Sequence, residues 1–107
     1  MANPIFRTRY YYFNAHGHTS KAIDFVRSFF DLSKIVEVTA IKLNCSCTVK
    51  FMLYNGYVFE VDEGFNIGDI SIASTALYQI LINVGFSADD SYKLFKRDIL
   101  SFFISKY

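Results

Sequence analysis

Residues 47–62 read CTVKFMLYNGYVFEVD, two alternating runs joined by Asn55-Gly56. Asn-Gly between such runs is a strong hairpin signal, because glycine enters the left-handed conformation of a tight turn without steric cost. Two loop lengths are possible, and they give opposite faces. A two-residue loop sets Tyr54 against Tyr57, Phe51 against Glu60 and Val49 against Asp62. A three-residue loop, with Gly56 at the bulge position, sets Leu53 against Tyr57, Phe51 against Phe59 and Val49 against Val61. A slip of one residue turns every side chain over, so the apolar pattern chooses between them. The three-residue loop gathers Cys47, Val49, Phe51, Leu53, Tyr57, Phe59 and Val61 on one face. The other face carries Thr48, Lys50, Met52, Val58, Glu60 and Asp62, with Lys50 opposite Glu60. This hairpin has one dry side and one wet side, and the rest of the chain has to cover the dry one.

Upstream, residues 35–43 (IVEVTAIKL) predict a strand whose alternation breaks near Ala40-Ile41, the mark of a bulge. Residues 20–32 predict a helix capped by Thr19 or Ser20. Its buried side is Ala22, Ile23, Val26, Phe29 and Phe30, with Phe25 on the flank. Lys21, Asp24, Arg27, Ser28 and Asp31 form the solvated side. After the Asn3-Pro4 turn signal, residues 5–13 alternate as a strand. Phe6, Thr8, Tyr10 and Tyr12 share one face; Arg7, Arg9, Tyr11 and Phe13 share the other, read as the wetter.

Downstream, Glu63-Gly64 ends the sheet. From Ile70 to Ala88 there is no charged residue. Asp69 is placed to cap a helix that stops at Gly85. Ile70, Ala73, Ala76, Leu77, Ile80, Leu81 and Val84 form its broad apolar face; Ser71, Ser74, Thr75, Tyr78 and Ile82 lie behind. It is shorter than the ~20 residues of a membrane span and carries Ser, Thr, Gln and Asn. A helix uncharged all round is buried on more than one side. Ser87 then caps a last helix, with Asp89 and Asp90 in its first turn. Tyr92, Phe95, Ile99, Phe102 and Phe103 face the core, and Lys93, Arg97, Leu100 and Ile104 line the opposite side. The expected fold is a two-layer α+β domain spanning residues 1–107. It has a four-stranded, mostly antiparallel sheet (order β-α-β-β-β-α-α), three helices on one face and an open, polar second face.

A chain of 107 residues suits one core, and its net charge of +1 gives no long-range pull toward nucleic acid or anionic membrane. Aromatic residues make up 19 % of the chain, a large surface for a small domain to hide, which favours self-association. Phe, Tyr, Ile, Asn and Lys outnumber Gly, Ala, Arg and Pro, the imprint of an AT-rich genome. The N-terminal stretch lacks the apolar core and small-residue cleavage site of a signal peptide. Cys45 and Cys47 are too close in sequence for an unstrained disulfide, which fits a reducing, cytoplasmic setting.

The histidines and cysteines come as two pairs, His16 with His18 and Cys45 with Cys47. Brought together they would offer four zinc ligands, although the hairpin register buries Cys47. No nucleophile elbow and no Gly-rich phosphate loop is present. Glu60, Asp62, Glu63 and Asp69 read as a solvated acidic rim. An open sheet face with Arg7, Arg9, Tyr11, Lys42 and Lys50 would suit single-stranded nucleic acid, but Glu37 and Glu60 oppose phosphate there. The pattern favours a non-enzymatic, cofactor-free protein–protein interaction module that self-associates and acts by occluding a partner, as an inhibitor encoded by a phage or mobile element would. Tyr78, Ile82, Arg97, Leu100 and Ile104 are the expected contacts with a homo-oligomeric or other protein partner.

Overall fold

A computed structural model describes residues 9–29 and 31–107. The expectations for residues 5–8, Arg7 included, and for Phe30 and the Phe29 side chain lie outside the described residues. The elements are β1 (Tyr10–Asn14), α1 (Thr19–Phe29), β2 (Ile35–Leu43), β3 (Ser46–Leu53), β4 (Val58–Asp62), α2 (Ile72–Val84), α3 (Ala88–Tyr92) and β5 (Ser101–Ser105), with 3-10 turns at Leu32–Lys34 and Lys93–Phe95.

The hairpin has the three-residue loop. Val49 pairs with Val61, Lys50 with Glu60 and Phe51 with Phe59. The Leu53 N–H donates to the Tyr57 carbonyl at 2.8 Å, and Gly56, at φ 89°, donates to the Leu53 carbonyl. Cys47, Val49, Phe51, Leu53, Phe59 and Val61 are all buried. They join Ala22, Val26, Leu77, Ile80 and Leu81 of the helices in one core, so the helices cover the dry face. Burial of this apolar set is what fixes the register.

The sheet has five strands in the order β1-β4-β3-β2-β5 and is mixed, not four-stranded. β2, β3 and β4 form the antiparallel meander, and β1 lies parallel to β4. β1, α1 and β2 are therefore a crossover between strands of like direction, with β3 and β4 inserted between them. The fifth strand replaces most of the expected last helix. That helix stops at Tyr92, a 3-10 turn follows, and Asp98 at φ 64° turns the chain into β5. β5 pairs antiparallel with β2, Thr39 opposite Phe103 and Val38 opposite Ile104. Phe102 and Ile104 face the core, and Phe103 faces out. A period-2 pattern was hidden there inside an equally apolar 3.6-residue one.

Smaller departures have local causes. α1 ends at Phe29, and the Asp31 side chain instead accepts the Ser33 N–H, starting a 3-10 turn. Phe25 is buried and stacks on Phe13 at 4.7 Å, so it is a core residue rather than a flanking one. α2 is capped by Ser71, not Asp69, through a reciprocal box with Ser74, and Gly85 at φ 107° ends it. The β2 irregularity lies between Ile35 and Glu37, not near Ala40-Ile41. Ala40 and Ile41 keep the alternation; Ile41 is simply an apolar residue on the outer face.

Candidate functional site

The helices leave one face of the sheet uncovered, and strand alternation determines what it presents. The register sets Tyr12 beside Glu60, Glu60 beside Lys50, Lys50 beside Thr39 and Thr39 beside Phe103. Flanking rows contribute Tyr10, Met52 and Glu37 on one side and Asp62, Thr48 and Ile41 on the other. Tyr10, Tyr12, Ile41, Met52 and Phe103 are between 38 and 60 % exposed. The face is open, as expected, but it is aromatic and aliphatic as well as polar.

Its polar groups form a connected set. The Tyr12 hydroxyl donates to Asp62 Oδ2 at 2.7 Å, and the Thr48 hydroxyl donates to Asp62 Oδ1 at 2.6 Å. The Tyr10 hydroxyl donates to Glu60 Oε1. Lys50 Nζ lies 4.0 Å from the same oxygen and 5.9 Å from the centre of the Tyr10 ring. Desolvation, followed by the charge of Asp62, pushes the Glu60 carboxyl above its usual value. The hydrogen bond to Asp62 likewise raises the Tyr12 phenol, with burial and the Asp62 charge adding to it. Among the described residues of this face, Glu37, Glu60 and Asp62 stand against one cation, Lys50, an excess of negative charge.

The sequence places β1 the other way up. Tyr11 stacks on Phe59 at 4.9 Å and Phe13 on Phe25, so the side shared with Arg9 faces the helices, and Tyr10 and Tyr12 face out. Both sides of a Tyr-Tyr-Tyr-Phe strand are aromatic, so alternation does not separate them, and the arginines by themselves point to the wrong side. The signal that separates them is across the ladder, where Tyr10 and Tyr12 flank the acids of β4. The nucleic-acid set is thereby dispersed. The Arg9 guanidinium lies 5.7 Å from the Tyr57 ring, beside a cleft of about 410 Å³ lined by Tyr11, Leu53, Tyr57 and Phe59. Lys42 pairs with Cys47 on the helix side and reaches toward the Ile67 carbonyl. Of the described members, Lys50 alone lies on the open face.

The expected partner contacts also separate. Ile104 is buried opposite Val38, while Arg97 is exposed in the loop before β5 and sits 3.8 Å from Asp98. Leu100 is exposed just before β5. No common stripe exists, because the helix that would have aligned them is a strand. Tyr78 packs against Tyr92 and Phe95, so the back of α2 is covered by α3 and the 3-10 turn, with Ile82 left exposed beside them.

The His and Cys loops do reach the same end of the sheet. Gly17 donates to the Glu63 carbonyl and Glu63 to the Cys47 carbonyl, around a cleft of about 260 Å³ lined by Gly17, Thr19, Cys45, Cys47 and Glu63. His16, Asn44, Cys45 and Glu63 all have positive φ here, so the turns are tight and costly. The ligands themselves do not converge: among the described residues no group of His, Cys, Asp or Glu is placed to hold a metal ion. His16 and His18 are exposed, and burial pushes the Cys47 thiol up to about 11, away from the thiolate a metal needs.

Among the described residues no helix is long and apolar enough to cross a membrane. Comparison with family models, with curated proteins and with solved structures finds no match, so the chain's own chemistry carries the reading.

Proposed function

We propose that this chain is a non-enzymatic protein–protein interaction module that occludes a partner with the open face of its sheet. The observation that carries this reading is the composition of that face. Tyr10, Tyr12, Ile41, Met52 and Phe103 spread apolar area over a rigid, hydrogen-bonded sheet, with Glu37, Glu60 and Asp62 among them. Aromatic anchors on a preformed surface lose little side-chain entropy on binding, and tyrosine and methionine are enriched at interface centres. The excess of carboxylates favours a protein surface that combines apolar residues with Lys or Arg and repels phosphate. The tyrosine hydroxyls are engaged with carboxylates and hold those side chains in place for recognition.

A photo-cross-linking residue at Met52, in cells of the natural source, tests the proposal. It should give a discrete protein adduct, and the same residue at Ile72, on the helix side, should not. Tyr12→Lys places a cation among the acids at an exposed site and should abolish the Met52 adduct. An adduct that survives Tyr12→Lys, or equal labelling from both sites, refutes the assignment of the face.

A further inference from the structure

The outer edge of β5 has a self-complementary chemistry that the face alone does not explain. β5 is the last strand of the sheet. The Lys42 N–H donates to the Leu100 carbonyl and the Lys106 N–H to the Val36 carbonyl, each at 2.9 Å. Antiparallel ladders alternate bonded and non-bonded pairs, so residues 100, 102, 104 and 106 spend their backbone groups on β2. The N–H and C=O groups of Ser101, Phe103 and Ser105 consequently point away from the sheet. No other strand among the described residues pairs with them.

Edges of this kind are ordinarily protected by a charge, a proline or a bulge. β5 has none of these: residues 99–105 read ILSFFIS, without a charged residue or proline, and its register with β2 runs unbroken. The strand is also close to a palindrome, Ser-Phe-Phe-Ile-Ser. Turned about a two-fold axis through Phe103, it meets itself with Ser101 against Ser105, Phe102 against Ile104 and Phe103 against Phe103. The outward N–H and C=O groups of 101, 103 and 105 then become mutual donors and acceptors in the narrow-pair positions of an antiparallel ladder. Phe103, 60 % exposed in one copy, packs on its own symmetry mate on the open side. Leu100, 67 % exposed, lies on the helix side beside the stem of Lys106 of the second copy. No like charges are opposed within the strand.

We propose that the occupant of the β5 edge is a second copy of this chain, joined β5 to β5 in antiparallel register about Phe103. The resulting sheet is continuous across a closed two-fold dimer and presents two open faces side by side. This inference does not rest on the open-face reading and can fail separately from it.

Light scattering and amide exchange on the full chain test it. The wild type should scatter as a dimer whose Ser101, Phe103 and Ser105 amides gain protection as concentration rises. Phe103→Lys and Phe103→Glu place like charges across the axis at an exposed site, so each alone should be a folded monomer. Mixed in equal amounts they should recover the dimer, because only the residue on the axis meets its own counterpart. Tyr12→Lys should leave the dimer intact. A monomeric wild type, a dimer whose outward 101, 103 and 105 amides exchange freely, or a Lys/Glu mixture that stays monomeric overturns the proposal.

Discussion

Gly64 follows β4 and is pressed against α1, and adding one methyl group there probes how the crossover is seated. A Cβ at this position would lie 2.4 Å from Ala22 Cβ, 3.0 Å from Ala15 Cβ and 3.4 Å from Val61 Cγ1. Carbon pairs are comfortable at about 3.5–4.0 Å, so the contact to Ala22 falls short by roughly an ångström or more. Neither alanine has a rotamer to change, and the strain has to be taken up by backbone. That backbone is tied down: Ala15 donates to the Asp62 carbonyl at 2.9 Å and Gly17 to the Glu63 carbonyl at 2.7 Å. Overpacking costs about 1–3 kcal/mol, and these rigid surroundings place Gly64→Ala near ~3 kcal/mol. At about 4–8 °C per kcal/mol the melting temperature should drop by roughly 12–24 °C. Urea unfolding followed by circular dichroism measures the change, and Ala22→Gly supplies the control. Alone, Ala22→Gly costs about 1 kcal/mol in helix propensity plus a buried methyl. Combined with Gly64→Ala it should restore space, leaving the pair less destabilised than the sum by about 1–3 kcal/mol. A Gly64→Ala protein within about 0.5 kcal/mol of the parent, or a strictly additive pair, refutes close approach at Gly64 as what seats α1.

Three further outcomes follow from the turns and titrating groups. Asn44 and Cys45 both have positive φ in the β2–β3 turn, where glycine is preferred at the second position. Cys45→Gly should therefore raise the unfolding free energy by about 0.5–1 kcal/mol once the looser unfolded chain is counted, read as a higher urea midpoint, and an unchanged or lower midpoint contradicts it. Cys45 is exposed while the Cys47 thiol is buried and raised to about 11, so iodoacetamide at neutral pH should add one label to the native protein and a second only in denaturant. Rapid double labelling of the native chain, read by mass spectrometry, would count against that core position. Desolvation raises the Glu60 carboxyl in the folded state, so the native protein keeps this proton to higher pH than the unfolded chain does. Its ionisation thus lowers stability as pH rises from the unfolded carboxyl range through the folded value, and has no effect below that range. Glu60→Gln should flatten this part of the melting-temperature profile, and an identical slope in both proteins removes the effect.

The central strands were legible because each carries its own answer. In β3 and β4 a shift of one residue would have sent Phe51 and Phe59 to water, so the alternation and Asn55-Gly56 admit a single register. The span of β2, Ile35–Leu43, is equally legible, but its irregularity is not: Ile41 on the outer face imitates a break in alternation, and the register shift lies between Ile35 and Glu37. The site was less legible. Tyr10 and Tyr12 become surface residues only through their neighbours Glu60 and Asp62, residues 50 positions away. Ile41 and Phe103 look like core residues to a local rule, whereas the hairpin register already puts Met52 on the outer face; among the described residues no second helical layer covers that face, and all three are exposed. The Ser71 cap was missed because Asp69 is an equally good cap by type. The choice falls to Ser74, whose side chain completes the box from inside the helix, while Asp69 pairs with Asn66.

β5 shows why an edge strand resists local reading. Residues 99–105 can bury Phe102 either from a helix or from a strand, and propensity does not separate the two. The requirement comes from β2. Val38 and Ala40 are fully buried, and they occupy the β2 positions whose backbone groups point away from β3. Without a neighbour, those N–H and C=O groups would be shielded from water and unpaired, at about 1–3 kcal/mol each. A terminal helix could cover Val38 and Ala40 but could not accept or donate those hydrogen bonds; a strand does both. Recruiting it relocates the edge of the sheet. β2 carries Glu37 and Lys42, charges that guard an edge, whereas Ser101–Ser105 carries none. Satisfying the interior backbone has therefore moved the unpaired groups from a guarded strand to an unguarded one, which is where a second copy of the chain would find them.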